Sequence, residues 1–341
     1  MKFAIGYQQP ENGERFPVIV KDYMEHISEV YFPWTGMASG RAALGKSRGL
    51  VDWNAQQTLE EDLSVIKAMG IKLDLLFNAN CYGAKAVSQQ LENEVGSILD
   101  HLRDIGMPTD IVTTTSLTIA RTVKKYFPET EVRASVNMRL GTIQAMRYVS
   151  GLFDSFYIQR DIQRDLQAVR KIKSWCDDNG KGLYMLANSG CLRYCPGQTF
   201  HDNLVAHDAE IDEMKNIPGW TPHVCWNLYR KPENFAEILK ATWIRPEDIH
   251  YYDDIFPVVK LATRQHSHPR MVIGAYAARS FNGNLLDLLE PAFSSIFAPY
   301  SIDNSSFPEN WFKLSSGCAE NCDSCDLCNK ILQDVLKHNP E

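Results

Sequence analysis

The chain has 341 residues, of which 44% are hydrophobic and 23% charged, with nine cysteines and a formal net charge of −7. That length suits one large α/β barrel or two ordinary domains, and it buries a core without disulfide staples. The acidic balance argues against bulk nucleic-acid binding, which wants a basic footprint, and no apolar run reaches the roughly 18 residues of a membrane span.

Taken in chain order, β-type runs rich in Val, Ile, Tyr and Phe fall at 3–6, 27–32, 73–78, 110–114, 132–137, 155–158, 183–188 and 258–262. Between them, apolar residues recur at helical spacing over 58–69, 87–105, 116–126, 142–149 and 162–177. Strands alternating with helices imply a parallel sheet, and eight such units predict an α/β fold of the (β/α)8 TIM-like barrel type. No G-x-G-x-x-G follows the first strand, which weighs against a dinucleotide-binding fold. The barrel is expected over residues 1–289. Past it, Pro291, Pro299 and Pro308 mark an irregular connector, followed by a cysteine run and a short helix over 329–337. Residues 290–341 are therefore expected to form a C-terminal cysteine-rich appendix that binds metal or an iron–sulfur cluster.

The first residues lack the apolar core of a secretory signal, so the expected location is the cytoplasm. In that compartment clustered cysteines read as ligands or redox groups. Cys318, Cys322, Cys325 and Cys328 spell C-x3-C-x2-C-x2-C. Four thiolates this close suit a 4Fe–4S cluster, with zinc as the alternative. The first three alone spell the radical S-adenosylmethionine triplet. That triplet belongs in a loop after an early barrel strand, whereas here the barrel precedes it.

Four other cysteines fall where barrel strands end. Cys81 follows the third run, Cys191 and Cys195 follow the seventh, and Cys225 is placed near the next barrel turn. The active site of a (β/α)8 barrel lies at the C-terminal ends of its strands, so these four are expected at one mouth. Cys176 is the bystander, in an outer helix.

The segment LANSGCLRYCPGQTFHDNLVAHD resembles a signature of the collagenase-like peptidase family U-thirty-two. The stretches IRPEDIHYYDDIFPVVKLATR and AYAARSFNGNLLDLL are similar to later elements of that family. The matches span roughly residues 70–290 in the expected order. The resemblance implies a barrel carrying a 4Fe–4S cluster on cysteines. It further implies oxygen-independent hydroxylation, as in the UbiU/UbiV-type and RNA-hydroxylase-type relatives, with prephenate as oxygen source or cosubstrate. Cys191, Cys195 and Cys225 match the family region, and Cys81 is taken as the fourth ligand, with a tail cysteine as the alternative. The tail departs from the family pattern and allows a second cluster.

A dianionic cosubstrate wants cations at the mouth, because bidentate guanidinium–carboxylate pairs are strong and oriented. Arg160, Lys260 and Arg264 are the substrate-binding candidates, with Arg41 behind them; a plain salt bridge is the competing role for each. Asn78, Asn137 and Asn188 all end strands and join the substrate-binding candidates, against the simpler role of holding loops. His201 and Arg160 are the candidate catalytic residues; capping or packing competes for His201 and for His207. The expected function is an iron–sulfur oxidoreductase of hydroxylase type, acting on a small ring in preference to a nucleobase. A homo-oligomer or a hetero-oligomer with a related subunit is the expected assembly, away from the membrane. The alternatives are an iron–sulfur or zinc scaffold for a partner enzyme, and a protease. There is no G-x-S-x-G and no H-E-x-x-H, so a protease would need a Cys–His pair.

Overall fold

The computed structural model describes residues 1–9, 14–41, 52–318 and 321–339. Eight parallel strands close into a barrel in sequence order: β1 (Lys2–Gly6), β2 (Ile27–Pro33), β3 (Lys72–Phe77), β4 (Ile111–Thr114), β5 (Glu131–Ala134), β6 (Ser155–Tyr157), β7 (Gly182–Leu186) and β8 (Val258–Leu261). Closure comes from β1 pairing with β8, Lys2 opposite Val258 and Ile5 opposite Leu261. Each of the eight expected runs forms a strand, and the (β/α)8 fold is confirmed.

The outer ring holds α1 (Phe16–Asp22), α2 (Trp53–Ala68), α3 (Gln89–Asp104), α4 (Leu117–Tyr126), α5 (Ile143–Val149) and α6 (Leu166–Asp178). Their starts are written in the sequence. Asp52, Ser88, Ser116, Thr142 and Asp165 each accept a hydrogen bond from a first-turn amide, which satisfies a donor the helix leaves open. Cys176 is fully buried on α6 and serves packing.

The regular alternation breaks between β7 and β8. Some seventy residues there form α7 (Gln198–Ala206), α8 (Asp208–Asp212), α9 (Val224–Tyr229) and α10 (Glu237–Lys240), then a 3-10 stretch, Pro246–Tyr252. This insertion lies over the barrel's C-terminal face and supplies much of the site. After β8 come α11 (Pro269–Ala278) and α12 (Ser294–Phe297). The chain then runs through β9 (Tyr300–Ile302), α13 (Trp311–Ser316), α14 (Leu327–Val335) and β10 (Leu336–His338). The expected tail helix is present as α14, and its end turns into β10, which pairs antiparallel with β9. Aromatic contacts hold the tail against the β7–β8 insertion: Trp311 stacks on Trp243 at 5.8 Å and Phe312 on Tyr251 at 4.0 Å between ring centroids.

The barrel interior is charged. Arg133 on β5 reaches across to Glu29 on β2 with bonds of 2.7 and 3.1 Å, and its guanidinium lies 3.8 Å from the Tyr184 ring centre. Lys260 on β8 sits 3.7 Å from the Tyr31 ring centre, and Asp74 on β3 accepts from Thr113. Barrels of this class are usually filled with branched apolar side chains, so these four charges are a particular feature of this chain.

Candidate functional site

A cavity of about 290 Å³ opens at the barrel mouth between the strand ends and the β7–β8 insertion. Cys191, Cys195 and Cys225 line it together. Cys191 and Cys195 come from the loop after β7, and Cys225 from the first turn of α9. The sequence placed Cys225 near a barrel turn; the structure puts it on a helix of the insertion, folded back to the same mouth. That loop is shaped by Asp161, whose carbonyl accepts from Arg193 at 2.6 Å and whose carboxylate accepts from the Tyr194 amide at 2.8 Å. Tyr194 takes a left-handed backbone, φ 54°, which is costly outside glycine and persists only where surrounding contacts enforce it.

Burial raises the Cys225 thiol to about 12, with the neighbouring Cys191 and Cys195 adding to the shift, and burial also raises Cys195. Three soft donors therefore face one space, and burial disfavours the free thiolate at Cys195 and Cys225; a positively charged metal core would satisfy them. Among the described residues, no group of three or more His, Cys, Asp or Glu side chains is already spaced to grip a single ion.

Charged groups surround the thiols. Arg160, nine-tenths buried at the end of β6, donates to Cys191 Sγ at 3.1 Å and to Ser189 Oγ at 3.2 Å. Arg41 lies 3.8 Å from the Glu290 carboxylate. Asp202 on α7 is buried and accepts from Asn80 at 3.2 Å. His201 and His223 pack edge to face at 4.6 Å. Burial, with the nearby charges of Arg41, His223 and Arg160, lowers His201 to about 4, so it is neutral at pH 7. Among the described residues, buried His223 Nδ1 has no hydrogen-bond partner, and neither has Arg264 Nη2.

Several sequence candidates take other places. Cys81 is outside this lining. Its thiol meets His207, the residue that ends α7, and His207 Nδ1 is 2.8 Å from Glu210 Oε2. The expected fourth ligand is thus turned toward an imidazole. Lys260 lies inside the barrel against Tyr31 rather than at the cavity wall. Arg264 is likewise outside the lining and donates to Ser39 Oγ at 2.8 Å. Asn188 is fully buried and holds two chain segments together, donating to Ala262 O and Leu288 O and accepting from the Ala262 amide. Asn78 accepts from the Gly40 amide at 3.0 Å, and Asn137 donates to the Asn78 carbonyl at 3.4 Å. Asn188 spends both its polar atoms on the main chain, and Asn78 and Asn137 each make one such bond that ties neighbouring loops.

Sequence reasoning missed Asp202, His223 and Glu290. Asp202 adjoins His201 and His223 lies two residues before Cys225, so proximity to flagged residues was the available signal. Glu290 fell just beyond the expected end of the barrel.

The tail cysteines face a second cavity of about 330 Å³. Cys318, Cys322 and Cys328 line it with Arg164, Lys240 and Leu192, while Cys325 stays exposed outside it.

No family model matches the chain. The uncharacterized protease MJ1657 of Methanocaldococcus jannaschii is 24% identical over 326 residues, covering 94% of this chain and 92% of that protein. The solved structure of the U32 peptidase Mk0906 has the same fold, with a TM-score of 0.50 at 15% identity, covering 76% of this chain and 92% of that one. The resemblance to family U-thirty-two holds. In this U-thirty-two-like chain, the segment that carries the resemblance, with Cys191, Cys195 and His201, is the one that frames the mouth cavity. Among the described residues no helix is long and apolar enough to cross a membrane.

Proposed function

We propose that this chain is an iron–sulfur enzyme of the oxygen-independent hydroxylase type, acting on a small ring substrate at the barrel mouth. The observation that carries the reading is the meeting of Cys191, Cys195 and Cys225 on one cavity, with Arg160 donating to Cys191 Sγ. Cysteine thiolates are the donors that hold a 4Fe–4S core, and three of them line this one cavity. When bound, the cluster would supply one-electron chemistry at the mouth.

The chain's own residues perform the rest. Arg160 orients Cys191 and withdraws charge from its sulfur, the kind of outer contact that tunes a metal centre. Neutral His201 exchanges a hydrogen bond with a ring hydroxyl. Trp226 and Leu192 give the cavity apolar wall for the ring. Arg264 Nη2, buried and unpartnered, and Arg41 offer cationic donors for the carboxylates of a cosubstrate of the prephenate kind. The cavity volume and the net charge of −7 favour a small molecule over RNA. A related subunit acting beside this one is compatible with the reading.

The test is anaerobic purification with iron, zinc and acid-labile sulfide analysis, followed by calorimetric titration with prephenate. At least about four iron and four sulfide per chain are expected, with about four of each lost in Cys191→Ser/Cys195→Ser. Prephenate binding should weaken at least tenfold in Arg264→Ala. An iron-free chain, or zinc without sulfide, defeats the proposal.

A second reading rests on Cys81, His207 and Glu210. Thiol, imidazole and carboxylate in that order are the components of a thiol hydrolase. Peptide cleavage that is lost in Cys81→Ala and kept in Cys191→Ser would favour it. No cleavage by the wild-type chain would remove it.

A further inference from the structure

We propose that the C-terminal cysteines form a second iron–sulfur centre, set back to back with the mouth centre across residues 191–195, and that it passes electrons to the mouth. The inference rests on the reading of the mouth as a cluster site and extends it to the tail.

The geometry points there in three steps. First, one short loop divides the two cavities. Cys191 and Cys195 line the mouth cavity, Arg193 and Tyr194 line the tail cavity, and Leu192 lines both. The left-handed Tyr194 turns the chain between its two cysteines, and Asp161 pins that turn from below. Leu192 thus borders both spaces.

Second, the tail cavity presents the donors and charge that an anionic metal–thiolate core needs. Cys318, Cys322 and Cys328 supply sulfur, and exposed Cys325 lies on the same run within reach of a fourth position. The opposite wall is cationic. Arg164 is nine-tenths buried and spends its three hydrogen bonds on the main-chain carbonyls of Leu239 and Trp243. Its charge is thus held beside the thiols with no carboxylate among those bonds. Lys240 lines the same space, paired with Glu237 at 2.6 Å, so the unpaired cation there is Arg164. A buried cation without an anion is expensive, and a thiolate-bound cluster carrying net negative charge repays that cost.

Third, the two centres differ in access. The mouth thiols are partly covered by the insertion, whereas Cys318, Cys322 and Cys325 are exposed. An external one-electron donor protein reaches the tail first. One electron enters the oxidised tail cluster, which is reduced. That cluster then returns to its oxidised state as the mouth cluster is reduced. No atom moves and no proton is required.

The experiment uses the full chain purified or reconstituted anaerobically, with iron and sulfide analysis and electron paramagnetic resonance after dithionite reduction. Wild type should hold about eight iron and eight sulfide, four of each per centre. Cys322→Ser/Cys328→Ser and Cys191→Ser/Cys195→Ser should each retain about half. The fully reduced wild type should show a spectrum broadened by spin–spin interaction, which collapses to a simple signal in either variant. If the wild type holds about four iron, and only the Cys191/Cys195 variant loses them, the tail proposal is overturned and the mouth reading stands. If only the tail variant loses them, the mouth reading falls instead. Zinc without sulfide in the tail, or two clusters whose signals simply add, also overturns the relay. Should the tail variant fail to fold by circular dichroism, the Cys191/Cys195 variant decides alone: about four iron retained supports the second centre, and none overturns it.

Discussion

Cys81 and Cys191 both follow a barrel strand, yet their surroundings set them to different work. Cys191 receives a guanidinium hydrogen bond inside a cavity shared with two other thiols. Cys81 meets His207 in a half-exposed position, and the bond to that imidazole, helped by the Gly83 amide at 3.4 Å, lowers its thiol below the ordinary value. The same bond raises His207, so the pair tends toward thiolate and imidazolium. Cys81 should therefore alkylate with iodoacetamide faster than an ordinary thiol at pH 7. His207→Asn should slow that reaction several-fold at pH 7 and much less at pH 9.5, as read by mass spectrometry of the labelled peptide. An unchanged rate at pH 7 would show that the imidazole does not activate the sulfur. Neither environment can be read from a cysteine's position in the chain, because each partner comes from a distant segment.

At the scale of elements, the mouth is assembled by loops that interlock through a few small residues. Gly40 is one. A Cβ there would stand 2.6 Å from Asn137 Nδ2 and 2.8 Å from the Asn78 carbonyl oxygen, closer than atoms pack. The backbone oxygen cannot swing aside, so Gly40→Ala must displace the loop that carries Arg41. A loss of about 1–3 kcal/mol of stability is expected in urea unfolding, with weaker ligand binding at the mouth. Unchanged stability would mean that the loop yields freely. The strand runs and the starts of α3, α4 and α5 were legible in the sequence, since Val- and Ile-rich runs and periodic apolar residues are local signals. By contrast, α2 begins at Trp53 and α6 at Leu166, away from the expected 58 and 162, and α1 and the insertion helices were not expected. The β9–β10 pair was not, because Tyr300–Ile302 and Leu336–His338 are three residues each and find one another only after the tail has docked.

For the molecule as a whole, the charged barrel interior is the main structural commitment. Arg133 and Glu29 are both buried and joined by two hydrogen bonds. Removing one partner strands the other, so Arg133→Ala should cost about 3–5 kcal/mol. Arg133→Met with Glu29→Gln should cost clearly less, and equal losses in urea unfolding would refute the pairing argument. Asp74 and Lys260 form the second set. Burial raises Asp74 to about 7, with Arg133 and Lys260 opposing, and burial lowers Lys260 to about 8, with Asp74 opposing. A carboxyl with a raised folded pKa binds its proton more tightly in the folded chain. Its contribution to stability is present below the unfolded value near 4 and declines as pH rises toward about 7. Asp74→Asn should remove that decline, so variant minus wild-type stability should grow between pH 4 and 7 in urea titrations. A constant difference would mean that Asp74 titrates normally.

The sequence by itself determined the barrel, its closure from eight β–α units, and the existence of two groups of cysteines. These follow from local periodicity and from residues close together in the chain. It also carried the segment that resembles family U-thirty-two. The tertiary structure alone decided which cysteines share a cavity, that Cys81 turns to His207, and that Asn188 and Lys260 are buried inside the fold rather than set at the mouth. It alone placed one loop between two cavities. The physical reason is that a side chain's role depends on which donors, charges and walls surround it, and here those arrive from strands, from a long insertion and from a tail far apart in sequence.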